Sequence, residues 1–466
     1  MHDMTLPEAE PSPDALASSL RADISGRVIT ADDADYDEAR EVFYGGHDLR
    51  PAVIVRPRGT SEVARVVDLA RDTGMELAVR SGGHSGAGHS TTHGGIVLDL
   101  ADMKDLTIDS EQRLARAQTG LTAAEITTAL AAHNLAIPFG DTGSVGVGGI
   151  TLGGGVGFLV RKYGLTIDSL LAAEVVTADG QVLEVDARTH PDLFWALRGG
   201  GGNFGVVTRF TFRVHPLGTV VGGMLLLPAT PEVVAGFMAE AEAAPDELSA
   251  IANVMPIPPM PFVPAEQHGR LGVMALMLWS GEQQAGTRIV DRFRSLATPI
   301  ADLVKPMPYP QMYPPEEEDY RPTAEAKTMF MDRVDMPMAR TIVAWLEDSD
   351  AAMRVAQLRV LGGAMARVPA DATAFAHRAS KIMVNVAAFY EGPEDRPARA
   401  AWVTDFAAAL QQEDHGSYVN FISDHGEDWM EAAYPGATWD RLRAIKRRYD
   451  PTNLFHRNHN IPPASN

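Results

Sequence analysis

The 466-residue chain contains no cysteine, which excludes disulfides, thiolate metal sites, iron–sulfur clusters and any cysteinyl bond to a prosthetic group. It is also short of positive charge. Forty Lys and Arg stand against 61 Asp and Glu, and a formal net charge of −21 repels phosphate backbones and anionic membrane surfaces alike. No basic block reverses that field locally, so neither nucleic acid nor a membrane is an expected partner, and a small molecule is. Three uncharged stretches, Thr142 to Val160, Val214 to Pro231 and Leu248 to Ala265, are long enough to span a bilayer, but the first carries eight glycines and the others several prolines. None reads as a transmembrane helix. The opening residues, MHDMTLPEAEPSPDAL, lack the basic patch and apolar run of an export signal, and a cytoplasmic location is the expectation. Walker A, HExxH and GxSxG strings are absent too, which disfavours ATPase, zinc-hydrolase and esterase chemistry, and no metal site is expected.

What is present suits an ordinary globular protein: 45% hydrophobic and 22% charged residues, in a length that suggests two or three domain-sized units. Residues 1–46 read as a tail followed by a short helical segment, DYDEAREVF (Asp35 to Phe43). Residues 47–217 alternate. AVIVRP (Ala52 to Pro57) reads as a strand, Ser61 to Gly74 as a capped helix, and ELAVRSGGHS and GIVLDL (Gly95 to Leu100) as further strands. Sixteen of the 42 glycines fall between Gly140 and Gly205, a crowding expected where a ligand lies against the main chain. Residues 218–417 form a second expected domain with Met- and Pro-rich clusters at Asn253 to Pro264 and Lys305 to Pro315, which line an apolar cavity or else belong to core and loop. Thr373 to Tyr390 reads as an apolar helix or equally as a loop and strand, and Ala398 to Gln412 as a helix. Residues 418–466 change character again, with a helix at Trp439 to Pro451 and a His/Asn-rich end.

The strings GGGVG and GGGGNFG invite a Rossmann reading, but that fingerprint needs a strand, one tight glycine turn, a long helix and an acidic residue about 20 positions on. The glycines here span too much chain. A different ordered set fits: Arg80-Ser81-Gly82-Gly83-His84-Ser85, then Gly146-Val147-Gly148-Gly149, Gly153-Gly154-Gly155-Val156-Gly157, Arg161-Lys162-Tyr163-Gly164, Asp192-Leu193-Phe194-Trp195-Ala196 and Gly202-Asn203-Phe204-Gly205. Tyr418-Val419-Asn420, Tyr449 to Phe455 (YDPTNLF) and Asn458-His459-Asn460-Ile461-Pro462 complete it. This set, over nearly the whole chain, resembles the FAD-linked oxidases of the vanillyl-alcohol oxidase superfamily, berberine-bridge-enzyme-like branch.

The resemblance implies an α+β fold. A p-cresol-methylhydroxylase-type FAD-binding domain (47–217) would precede a substrate domain of antiparallel sheet covered by helices (218–417), and residues 418–466 would return to the flavin. His84 would bond covalently to the 8-methyl carbon of FAD; the alternative is a solvated loop histidine, as expected for His89 and His93. A histidine after two residues without side chains can approach a ring edge closely, and neutral imidazole is a competent nucleophile. Thr142 stands where doubly linked relatives carry cysteine, which implies a single link. Ile150 replaces a histidine of many plant relatives, and Val145 stands at a position governing oxygen access, favouring O2 over another acceptor. Glycine-turn amides would hold the pyrophosphate. The residues expected around the cofactor are Arg80, Ser81, Gly82, Gly83, Ser85, Gly86, Thr142, Ser144, Val145, Gly148 and Gly149, with Gly154, Gly155 and Val207 near the adenosine half, and Asn420, Asn458 and Asn460 from the C-terminal segment. Tyr418 would take a proton as hydride leaves the substrate, or would only orient it; acting as base near pH 7 requires a shift of roughly three units from the ordinary phenol value, about 4 kcal/mol. Phe421 replaces a second tyrosine. Asp424 and His425 form either an acid/base couple or a solvated loop pair. The implied activity is oxidation of a small alcohol or amine, with a slight tilt to hydrophobic compounds and with H2O2 released. A dehydrogenase of the same fold and a catalytically silent flavin-binding protein are the alternatives.

Overall fold

A computed structural model describes residues 13–313, 320–423 and 429–465. Strands β1 (Arg27–Ile29), β2 (Val53–Arg56), β3 (Leu77–Arg80) and β4 (Ile96–Asp99) form a sheet in the order β1-β2-β4-β3, parallel except where β1 meets β2. Val53, Ile54 and Val55 are fully buried, the continuous apolar run of a strand covered on both faces. Helix Thr60–Thr73 makes the crossover: it buries Val63, Val66, Val67 and Ala70 at helical spacing and stops at Gly74, whose φ of 68° suits glycine.

A second sheet, antiparallel, uses β5 (Leu106–Asp109) and β6 (Leu114–Gln118) and then, after the two-residue β7 (Leu135–Ala136), β8 (Leu170–Val176), β9 (Val182–Asp186) and β10 (Val206–Arg213) in the order β5-β6-β10-β8-β9. β7 pairs instead with β11 (His215–Pro216). Between β6 and β7, helix Ala123–Ala131 starts in a capping box: Thr122 accepts from the Glu125 amide, and Glu125 accepts from that of Thr122.

The largest sheet is antiparallel throughout. It contains β12 (Val220–Pro228), β13 (Leu248–Pro256), β14 (Leu271–Trp279), β15 (Ala301–Asp302), β16 (Lys305–Met307), β17 (Ala324–Met331), β18 (Arg354–Val360) and β19 (Ile382–Phe389), in the order β15-β12-β14-β13-β18-β19-β17 with β16 also beside β12. Helices Pro231–Ala243, Gln283–Arg294, Met336–Asp348 and Arg396–Leu410 cover one face. Ala356, Leu358 and Val360 of β18 lie under them, whereas Val355, Gln357 and Arg359 alternate to the open face. The architecture is α+β, with a helix-covered antiparallel sheet after the glycine-rich layers, as the resemblance implies.

Thr373 to Tyr390 is the loop-and-strand alternative: it ends in β19, an inner strand apolar at every position but Asn385, which mimics a buried helix in sequence. The expected helices near 398–412 and 439–451 form, as Arg396–Leu410 and Ala437–Tyr449. The described residues of the Met- and Pro-rich clusters are core and loop. Met307, Tyr309 and Met312 join the main apolar core, while Ile257 and Val263 pack on Leu226.

His215 sits at the start of the connection into the large sheet, its ring stacked on Tyr163 at 4.3 Å and its Nε2 2.9 Å from Ser169 Oγ. Burial, reinforced by Arg213 and Arg113, lowers its pKa from 6.5 to about 4. A group depressed in the folded state contributes stability above its unfolded pKa and loses it as pH falls through the folded one. The protein should therefore lose on the order of 3 kcal/mol between pH 6.5 and 4 through this residue. Urea unfolding at both ends of that window should show that loss in the natural chain and not in His215→Gln.

Candidate active site

A cavity of about 580 Å³ lies between the glycine-rich layers and the open face of β17, β18 and β19. Two glycine segments cross at its wall. A Cβ on Gly82 would sit 2.2 Å from the Gly146 nitrogen, and one on Gly146 would sit 2.1 Å from the Gly82 nitrogen, so the loop after β3 touches the turn before helix Val147–Leu152 backbone to backbone. Ser81 Oγ stitches the crossing: it donates to Thr119 O at 2.7 Å and accepts from the Gly148 amide at 3.2 Å. This contact carries His84 to the cavity. The imidazole stacks on Phe43, with centroids 4.0 Å apart and planes 19° from parallel, and its Nε2 lies 2.9 Å from Ser144 Oγ.

Tyr418 enters from the C-terminal segment and is 2% exposed. Its hydroxyl oxygen accepts from the Gly155 amide at 3.0 Å and from Asn420 Nδ2 at 2.9 Å. Gly154 and Gly155, with φ of 129° and 83°, turn the backbone beneath that hydroxyl in a conformation side chains disfavour, and a Cβ on Gly155 would strike Thr166 Oγ1 at 1.9 Å. Burial pushes the phenol above its ordinary value of 10; the donors from Gly155, Asn420 and Val156 and the charge of Arg359 pull it back. Arg359, on β18, is 5% exposed and donates through Nη2 to Asp141 Oδ2 and Gln357 Oε1, both at 2.7 Å. Its guanidinium lies 5.1 Å from the centre of the Phe421 ring, which meets Tyr418 edge-on at 5.3 Å.

Residues 51–186 match the family model of an FAD binding domain, and residues 417–462 the model described as berberine and berberine like. The (R)-6-hydroxynicotine oxidase of Paenarthrobacter nicotinovorans is 32% identical over 458 residues, covering 94% of this chain and 97% of that one. The chain belongs to the berberine-bridge-enzyme-like branch of the vanillyl-alcohol oxidase superfamily. Among solved structures, a 6-hydroxy-D-nicotine oxidase from Arthrobacter nicotinovorans superposes with a TM-score of 0.83 at 28% identity, covering 95% of this chain and 98% of that one. A glucooligosaccharide oxidase from Acremonium strictum, described with a novel flavinylation, gives 0.84 at 25% identity over 98% of this chain and 99% of its own.

This FAD-linked oxidoreductase fits its cofactor on its own geometry. Gly149 and Gly202 line the cavity, and an added Cβ at either would meet nothing within 4 Å, so both hold the wall back from a space a ligand can fill. Asn458 Oδ1, also at the cavity, is a buried acceptor with no donor among the described residues. Among the described residues no group of His, Asp or Glu side chains could hold a metal ion, and no helix is long and apolar enough to cross a membrane.

Of the residues expected around the flavin, the loop after β3 brings Ser81 through Gly86 to the cavity, the second glycine segment brings Thr142, Val145, Gly148 and Gly149, and β10 brings Val207. Tyr418, Asn420 and Asn458 arrive from the C-terminal segment. Arg80 does not line this cavity. Its guanidinium bonds Asp99 at 3.1 Å and the carbonyl of Glu41 at 2.9 Å, tying β3 to β4 and to the N-terminal segment. Gly154 and Gly155 lie by Tyr418, where the backbone must turn. Asn460 is outside the lining, and Ser144 lines a smaller cavity of about 390 Å³ behind His84. Contrary to expectation His89 lines the main cavity, edge-on to His459 at 4.7 Å. Asp424 and His425 lie outside the described residues.

Sequence reasoning missed two groups. Phe43 and Tyr44, from the expected tail and helical segment, and His47, at the start of the expected FAD-binding domain, form a wall held by the Phe43 amide on Gly83 O at 3.1 Å and by His47 Nε2 near Gly86 O at 3.1 Å. Gln357, Arg359 and Asn385 form the opposite wall. The available signal was a Gln and an Arg two apart in an otherwise apolar strand, VAQLRV.

Proposed function

We propose that this flavoenzyme oxidises a small organic alcohol or amine while carrying FAD on a single covalent link to His84, and that O2 takes up the electrons to give H2O2. The observation that supports this reading is the meeting of His84 and Tyr418, from opposite ends of the chain, at one cavity that also has space for an extended cofactor. When bound, FAD supplies the hydride acceptor. The protein's part is proton handling and placement. Tyr418 Oη receives the proton leaving the substrate, and the donors from Gly155 and Asn420 that meet this oxygen are arranged to hold a phenolate. Arg359 adds a buried cation, restrained by Asp141 and Gln357. Thr142 offers no thiol for a second link, and Phe421 offers no hydroxyl for a second base. The wall facing these groups mixes polar Gln357, Arg359 and Asn385 with apolar Val355, Ala387 and Phe389; among the described residues the Met- and Pro-rich clusters do not reach it, so the support for a hydrophobic substrate comes from the sheet face and not from those clusters.

The test is an absorbance spectrum before and after acid precipitation, with the mass of the His84 peptide. A yellow pellet and a peptide heavier by FAD are expected, followed by peroxide release in an aerobic screen of alcohols and amines. A colourless pellet with free FAD would overturn the covalent link and leave the fold standing. Slow reoxidation of reduced enzyme in air would overturn O2 as acceptor.

A further inference from the structure

His84 stands in the wall between the two cavities, while Ser144 lines only the smaller one. The contact of 2.9 Å between Ser144 Oγ and His84 Nε2 ties that nitrogen to a residue of the smaller cavity's wall. Two contacts among the described residues act on the ring. The stack on Phe43 sets its plane, and the Ser144 contact sets its direction within the plane. The backbones that carry the two side chains are held together: Gly82, two residues before His84, lies against the Gly146 backbone, and a Cβ there would also stand 3.1 Å from the Ser144 carbonyl oxygen.

We propose that Ser144 is the positioning residue for flavin attachment: its hydroxyl accepts a hydrogen bond from Nε2–H, holds the tautomer whose lone pair is on Nδ1, and so directs the covalent bond to Nδ1. The proposal rests on the reading of His84 as the attachment site. A neutral imidazole carries one N–H, so fixing it at Nε2 decides which nitrogen is nucleophilic. In the step, the Nδ1–C8α bond forms, one C8α–H bond breaks and the Nε2 proton is released. The electron pair from the broken C–H bond stays on the flavin ring system, and O2 removes two electrons and two protons as H2O2. As the imidazole gains positive charge in forming the bond, the Ser144 acceptor stabilises it, and the smaller cavity lies beside Nε2 where the proton departs.

Chain produced under riboflavin starvation and then mixed with FAD should attach it, read as flavin fluorescence retained on a denaturing gel. Ser144→Ala should slow attachment roughly 10- to 100-fold, the loss of one hydrogen bond to a developing charge, with unchanged total FAD per chain and unchanged unfolding temperature. Ser144→Thr, which keeps the hydroxyl, should restore the rate. In the natural protein, NMR of the flavin peptide should show the Nδ1-linked isomer, a readout that needs no variant to fold. Attachment by Ser144→Ala at the natural rate, or an Nε2 link in the natural protein, would overturn the proposal. Flavin that dissociates wholly from the natural protein would instead overturn the covalent reading beneath it, and the proposal with it.

Discussion

Tyr418→Phe is expected to lower turnover by roughly 10²- to 10⁴-fold, the usual contribution of a positioned proton acceptor, while FAD content stays unchanged. The sign of the pH dependence follows from the site. Burial holds the phenol above 10, so the phenolate fraction, and turnover with it, should rise from neutral pH into the alkaline range. Arg359 is a cation that favours the phenolate; Arg359→Gln should move the rising limb further up in pH. Asn420→Ala removes a donor to the same oxygen and should move it the same way. A pH–rate profile from pH 6 to 10 checks both. A flat profile for the natural enzyme, unchanged in Arg359→Gln, would reduce Tyr418 to a residue that orients substrate.

The second large effect lies away from the chemistry. Lys446 and Asp450 are paired at 2.6 Å with both side chains wholly inaccessible. Lys446 Nζ also donates to Asn203 O at 2.8 Å and Phe455 O at 3.0 Å, while the Asp450 carboxylate accepts from the amides of Leu454 and Phe455, each at 2.8 Å. Burial lowers the Lys446 pKa, and Asp450 opposes that shift. Asp450→Ala leaves an unpaired ammonium and two amides without their acceptor, and should cost about 3–5 kcal/mol in urea unfolding. Lys446→Met with Asp450→Leu should recover part of that loss, since the pair's desolvation is removed along with its attraction. Asn203, in turn, donates to His459 O at 3.1 Å and accepts from the Ile461 amide at 2.9 Å, so loss of the pair should also loosen Asn458 and His459 at the cavity and speed FAD dissociation in any chain where it is not covalently held.

This pair shows how far the sequence can be read. YDPTNLF and GGGGNFG stand out as strings, and helix Trp439 to Pro451 is legible from its apolar spacing, yet Lys446 reads there as one more surface cation in AIKRRYD. Only the docking of that helix on Asn203 buries it. His84 is different: the glycines before it announce a close backbone approach, and the structure finds that approach at Gly146, 64 positions on. Phe43 carries no such mark, because what makes it part of the site is a main-chain bond to Gly83 and a stack on His84, both distant in sequence.

The sequence by itself determined the parts whose causes are local. Glycines impose turns and close approaches, the helix and strand periods follow from neighbouring residues, and the absence of cysteine leaves histidine as the only side chain implied by the resemblance to carry the flavin. Tertiary structure alone decided which side chains face one another. The pairing of β18 with β13 and β19 turns Gln357 and Arg359 toward Tyr418, where a slip of one residue would have presented Ala356 and Leu358 instead. Register is a long-range choice made by whole packed faces, and no window of neighbouring residues contains it.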